Sequence, residues 1–216
     1  FANDVYATNI ENTGTGATTF QANVVATNVN VNAGTSTFQD NLTAATTTIS
    51  TGTGNFNTVS GATTSDLRFT DNGTANLNNG LTGNVTTTAD NKGTLNLVGS
   101  NNQTVTGTVG GVGASLEKVS SGATGATSTF VNNVYANTVE NTGTGATTFQ
   151  DNVTATNVNV NAGTSTFQDN LTATTTTITT GTGNFNTVSG TTTSNLQFTD
   201  NGTANLNNGL TGNVTT

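Results

Sequence analysis

The sequence predicts an all-β fold, a repetitive β-solenoid (parallel β-helix) with coils of about 18–21 residues. Phe20, Phe38 and Phe56 recur at a constant 18-residue step. Around them, apolar and polar residues alternate with period two in short runs bounded by Gly and Asn, which is typical of strands. No stretch shows the 3.6-residue periodicity of an amphipathic helix. Tandem β-sandwich repeats are the alternative fold, but they do not explain the constant step.

The corners between strands are predicted from turn-forming residues. Phe38 and Leu42 are expected to point inward around an outward corner at residues 39–41, because Asn and Asp tolerate the backbone angles of tight turns. Asn23 and Asn41 occupy equivalent corners of successive coils. The pattern therefore predicts an asparagine ladder at this edge.

A single column of large apolar side chains is predicted to fill the interior. The three phenylalanines of the 18-residue step are expected to stack in it, and their equivalents in the second half of the chain are expected to continue the same column. The predicted structural core consists of Phe20, Phe38, Phe56, Leu77, Leu97, Phe149, Phe167, Phe185 and Leu206.

A longer repeat contains the short one. Residues 130–216 are identical to residues 1–87 at 75 of 87 positions. The predicted units are therefore 1–129, with about seven coils and an irregular seam near 98–129, and a second, truncated unit at 130–216. We expect the chain to be an interior piece of a longer array, which continues in both directions or meets another copy end-on.

The composition excludes several classes of function. The chain has no Cys or His, so thiolate and imidazole metal sites and Ser-His-Asp or Cys-His nucleophiles are excluded. The net charge is −8, and Arg68, Lys92 and Lys118 are the only basic side chains. Three cations cannot follow a phosphate backbone, so no nucleic-acid partner is expected. No apolar run approaches the roughly 20 residues that span a bilayer, so this segment is not expected to insert into a membrane.

Few residues suggest chemistry. Asp66 and Arg68 lie two residues apart on one strand and are the candidates for a carbohydrate-active β-helix enzyme, although a solvated outer face is the simpler interpretation. No catalytic residue and no cofactor are predicted. Asp71 and Asp200 precede equivalent Asn-Gly turns and are weak calcium candidates, because a hard cation takes carboxylate and carbonyl oxygens. Their simpler role is turn formation.

Three segments carry a resemblance to a known family. They are GTLNLVGSNNQTVTGTVGGVGASLEKV, ATSTFVNNVYANTVENTGTGATTFQDNV and GTANLNNGLTGNVTT. They resemble bacterial β-strand repeat surface proteins, which include S-layer-like proteins and the passenger regions of large autotransporters. The resemblance implies an exported, repetitive protein at the bacterial cell surface. It supplies no catalytic residues.

Three functions are compatible with these observations. The first is a non-catalytic structural component of a bacterial cell surface, as a segment of an S-layer-like coat or extracellular filament. Its partners would be further copies, associated end-to-end or laterally. The second is an adhesin or autotransporter stalk, whose partner would be a host or surface glycan. The third, a carbohydrate-active enzyme, is disfavoured because no acid cluster is evident.

Overall fold

A computed structural model describes all 216 residues. The chain contains strands and no helix, and it winds into a parallel β-solenoid of about 11 turns, which confirms the predicted fold class. The strands are β1 (Val5–Asn12), β2 (Ala17–Phe20), β3 (Val24–Val31), β4 (Thr35–Phe38), β5 (Leu42–Ile49), β6 (Thr53–Phe56), β7 (Thr63–Phe69), β8 (Thr74–Leu77), β9 (Leu81–Thr82), β10 (Val85–Thr87), β11 (Thr94–Leu97), β12 (Gln103–Val105), β13 (Leu116–Ser121), β14 (Thr127–Phe130), β15 (Val134–Asn141), β16 (Ala146–Phe149), β17 (Val153–Val160), β18 (Thr164–Phe167), β19 (Leu171–Ile178), β20 (Thr182–Phe185), β21 (Thr192–Phe198), β22 (Thr203–Leu206), β23 (Leu210–Thr211) and β24 (Val214–Thr215).

Each eight-residue strand bends in its middle. In β3 the inward positions are 24 and 26 before the bend but 29 and 31 after it, so the inward parity changes between Ala26 and Val29. The ladder to β5 pairs Ala26 and then Asn28, and it skips Thr27 between them. One long strand therefore contributes two straight runs, and the short strand that follows contributes a third.

The three runs build three faces, which we call faces 1, 2 and 3. In the first unit they contain residues 24–26, residues 28–31 and Thr35–Phe38 respectively, together with the residues stacked on them. Gly34 makes the turn into face 3 with a φ of 62°, where an added Cβ would lie 2.2 Å from the Gly16 carbonyl oxygen. Glycine is required there for both the backbone angle and the close approach.

Aromatic rings stack along face 3 of the first unit. The ring centroids of Phe20 and Phe38 lie 5.0 Å apart, and those of Phe38 and Phe56 lie 5.4 Å apart, with interplanar angles of 5° and 3°. The equivalent rings of the second unit repeat the same two distances. A narrow column of rings explains how a chain that is only 31% hydrophobic builds a core.

The predicted core residues are buried with one exception. Leu206 is 41% exposed and lies in the terminal coil. The buried members are Phe20, Phe38, Phe56, Leu77, Leu97, Phe149, Phe167 and Phe185.

The prediction that the second phenylalanine column continues the first is wrong. Phe130, the first buried ring of the second column, pairs with Val105, which in turn pairs with Leu81 on face 1. The second phenylalanine column therefore lies on face 1. On face 3 the first column continues from Phe56 through Leu77, Leu97, Ser121 and Asn141.

The shift arises because the long repeat is not a whole number of coils. Phe20 ends a face-3 strand, and Val24 begins the next face. Six ladder steps on face 1 then connect Val24 with Phe149, the equivalent of Phe20. One unit therefore spans six and a third coils, fewer than the predicted seven. Because of the extra third of a coil, each strand of the second unit lies on the face that follows the face of its equivalent in the first unit. The steps are Val24 to Leu42, Thr63, Leu81, Val105, Phe130 and Phe149.

Residues 110–115 form a hairpin that interrupts one coil at the seam. The next coil has the single residue Tyr135 at this position, so five residues are inserted. Gly111 and Ala114 exchange two backbone hydrogen bonds of 3.0 and 3.1 Å, and Val112 is 88% exposed at the tip. The irregular stretch predicted near 98–129 is thus a set of enlarged coils that keeps the solenoid continuous.

Candidate functional site

The outer edges carry asparagine ladders. The Asn41 side-chain amide donates to Asn23 Oδ1 at 2.8 Å, which confirms the predicted ladder at this corner. A second ladder runs along face 3, where Asn76 donates to Asn55 Oδ1 at 2.8 Å and Asn96 donates to Asn76 Oδ1 at 2.9 Å. The abundant asparagines therefore satisfy one another between coils.

The calcium candidates lie at equivalent turns but have different surroundings. Asp71 Oδ1 accepts the Lys92 ammonium at 2.9 Å and the backbone N–H of Asn72 at 2.9 Å. The hydrogen bond from Lys92, the backbone N–H of Asn72 and the lysine charge together hold the Asp71 pKa below its ordinary value. Asp200 accepts the Asn201 N–H at 2.8 Å, and no lysine pairs with it. Asp71 is thus paired with a cationic side chain, whereas Asp200 is not.

No group of three or more Asp, Glu, His or Cys residues that could hold a metal ion is present. Asp66 Oδ1 accepts the backbone N–H of Asn84 at 2.8 Å, so this carboxylate braces the next coil. The positions of Asp66 and Arg68 are taken by Asn195 and Gln197 in the second unit. This pair therefore does not recur between units, and the structure places no further acid cluster around it.

The largest surface cavity is a groove of about 500 Å³ beside the seam hairpin. The hairpin tip forms one wall. Tyr135 and the small residues Ala136 and Ala155 also line it. Thr154 and Thr156, from the following coil, complete the lining. The groove is lined by one aromatic ring, several hydroxyl groups and otherwise mostly small residues.

Asp90 fixes the hairpin above this groove. Its Oδ1 accepts both the backbone N–H of Ser115 at 2.8 Å and the Ser115 hydroxyl at 2.9 Å. These two hydrogen bonds lower the Asp90 pKa, so the carboxylate is ionised at neutral pH. Asp90 also lines the groove, which therefore contains one negative charge.

The groove is absent from the sequence-based predictions. Its signals were the Gly-Gly-Val-Gly insertion and the rare tyrosine, which are far apart in the sequence. Nothing local indicates that the insertion and Tyr135 meet, because their contact depends on which coil stacks on which. The insertion was interpreted only as part of a seam.

Buried polar side chains lie in the seam and in the coils that follow it. Ser121 donates to the Ser128 hydroxyl at 2.9 Å, and Asn141 donates to the Thr164 carbonyl at 3.3 Å. Gln103 donates to the Val98 carbonyl, whereas its Oε1 has no hydrogen-bond partner. The buried Thr147 hydroxyl also has none. The Asn141 contact recurs in the first unit, where Asn12 donates to the Thr35 carbonyl at 3.2 Å, whereas the Ser121–Ser128 pair and Gln103 belong to the seam.

Comparison with protein-family models, with curated proteins and with solved structures gives no match. No helix long and apolar enough to cross a membrane is present.

Proposed function

We propose that this chain is a non-catalytic structural component of a bacterial cell surface, exported and built into a repetitive S-layer-like coat or extracellular filament. The observation that carries the proposal is the equivalence of the two units in three dimensions. The coils of residues 1–87 recur in residues 130–216 after an advance of six and a third coils. Equivalent surfaces at regular intervals are what a lattice or fibre needs.

Equivalent residues of the two units also make the same buried hydrogen bonds. Thr47 and Ser65 share a hydroxyl–hydroxyl hydrogen bond of 2.9 Å, and Thr176 and Ser194 share the same bond at the same length. The buried Asn57 side chain accepts from Thr63 at 2.6 Å, as the equivalent asparagine does in the second unit. The two units are therefore the same building block, rotated by one face.

The rod offers little for catalysis. Its outer faces are covered by threonine and asparagine, and the Asp66 carboxylate is engaged in bracing a neighbouring coil. We expect purified protein to release no reducing ends from a panel of polysaccharides. Release that disappears in an Asp66→Asn variant would establish the enzyme alternative instead.

The test of the structural role is electron cryotomography of the producing cells, combined with gold-labelled antibodies raised against this chain. We expect label on a periodic layer or on fibres outside the cell envelope. One unit should advance by about 30 Å along the rod, from six and a third coils at about 4.8 Å each. Label confined to the cell interior, or on surfaces without any periodic layer or fibre, would contradict the proposal.

A further inference from the structure

We propose that the groove beside the seam hairpin binds a neutral oligosaccharide, with Tyr135 as the platform on which a sugar ring stacks. The inference does not depend on the structural role above, since it rests on the groove alone. It goes beyond a rod function because it assigns a ligand class to one place on the surface.

The groove occurs where the regular pattern of coils is interrupted. Along the ladder, Thr154 occupies the position of Tyr135 in the next coil, and in the first unit Val25 follows Tyr6 in the same way. At this outward position, an aromatic ring therefore does not recur in the next coil of either unit. The hairpin at 110–115 is inserted in the coil directly before Tyr135. The hairpin and the tyrosine therefore line the same groove.

The lining matches the chemistry of a sugar. The face of an aromatic ring carries partial negative charge, which favours the polarised C–H groups of a pyranose. The hydroxyls of Ser115, Thr154 and Thr156 can donate hydrogen bonds to sugar hydroxyls or accept them, and the Asp90 carboxylate can accept them. A volume of about 500 Å³ lies within the range of about 300–1,000 Å³ typical of ligand pockets.

The charge of the groove favours a neutral sugar. Asp90 is its only ionised side chain, and the net charge of the chain is −8. Lys118, the cation in the same coil, is paired with Glu140 at 3.1 Å and does not line the groove. An anionic glycan would therefore meet repulsion without a compensating cation.

A second, shallower depression indicates the direction of a longer ligand. It lies one coil further along the same bend and includes Ala173, the ladder partner of Ala155. Its other lining groups are threonine, serine and asparagine side chains. A sugar chain could lie along the rod axis, with its first ring on Tyr135 and later rings against these hydroxyls and amides.

The experiment is titration of the purified chain with chitohexaose, cellohexaose and mannohexaose, and with hexagalacturonate as the anionic comparison, by calorimetry and saturation-transfer NMR. We expect at least one neutral hexasaccharide to bind and hexagalacturonate to bind more weakly. Tyr135→Ala should weaken that binding by at least about tenfold, the equivalent of losing one stacking contact. Tyr135→Phe should retain it.

Tyr6→Ala is the matched control, because Tyr6 is the equivalent residue and is 72% exposed with no hairpin beside it. It should leave binding unchanged. Deletion of residues 111–115 removes the wall and should abolish binding, provided that the melting temperature shows an intact solenoid. The proposal is overturned if none of the neutral hexasaccharides binds, or if Tyr135→Ala and Tyr6→Ala have equal effects.

Discussion

Phe130 pairs with Val105 in the parallel ladder and not with the column that contains Phe56. Two stretches of nearly identical sequence thus lie on different faces of one rod. The interior therefore changes at the seam from a phenylalanine column on face 3 to one on face 1. The stability of this arrangement depends on both columns and on the buried polar side chains between them.

Truncation of a stacked ring should be strongly destabilising in either unit. Phe38 and its equivalent Phe167 are each 1% exposed and lie between two other rings. Phe38→Ala and Phe167→Ala should each lower the free energy of unfolding by about 3–5 kcal/mol, because each opens a cavity in a close-packed column. Phe1→Ala is the control, since Phe1 is 69% exposed. Denaturant unfolding measures all three, and equal effects of Phe1→Ala and Phe38→Ala would argue against the column.

Two buried threonines of the second unit should differ in their response to the same substitution. The Thr147 hydroxyl has no hydrogen-bond partner, whereas that of Thr176 bonds to Ser194 at 2.9 Å. Thr147→Val removes an unpaired polar atom and should be neutral or stabilising by about 1 kcal/mol. Thr176→Val should cost about 1–2 kcal/mol, because it takes a partner from Ser194. Equal losses in thermal or denaturant unfolding would show that the Thr147 hydroxyl is satisfied.

The Asp71–Lys92 pair should make stability depend on pH at the acidic end. Lys92 holds the pKa of Asp71 below its ordinary value in the folded chain. A lowered folded-state pKa gives stability that is present above the unfolded pKa and is lost as the pH falls through the folded one. Asp71→Asn should therefore reduce the loss of stability as the pH falls below about 4, the ordinary pKa of an aspartate.

Asp200→Asn is the matched control for this pH prediction, because Asp200 occupies the equivalent turn without a lysine partner. Urea unfolding over this pH range gives the comparison. The interpretation fails if the two substitutions flatten the acidic limb equally. Because both carboxylates are on the surface, added salt should also diminish the difference.

Much of the fold could be predicted from the sequence, because it depends on local and periodic signals. The even spacing of the phenylalanines indicated the coil length, and the equivalent corners of Asn23 and Asn41 indicated the ladder. The face of the second column could not be predicted in the same way. That face depends on the total number of residues in the enlarged seam coils. No local sequence pattern in those coils indicates which face a strand will occupy.

The candidate site was less predictable than the fold. The sequence makes Asp71 a weak calcium candidate, but its lysine partner lies in the next coil, 21 residues along the chain. The groove at Tyr135 likewise combines residues from four successive coils. Contacts between coils require the stacking register, and the seam changes that register.

The most direct test of this account is disulfide trapping of the register at the seam. The chain has no cysteine, so any crosslink reports only the introduced pair. Thr104 and Thr129 are ladder partners with outward side chains on face 1, and adjacent strands bring Cα atoms into disulfide range, about 4.4–6.8 Å. Thr104→Cys with Thr129→Cys should crosslink rapidly under mild oxidation. Asn96→Cys with Thr129→Cys should not, because Asn96 lies on face 3. Rapid crosslinking of the Asn96 pair, with none of the Thr104 pair, would show that the two phenylalanine columns are continuous and would contradict the face change.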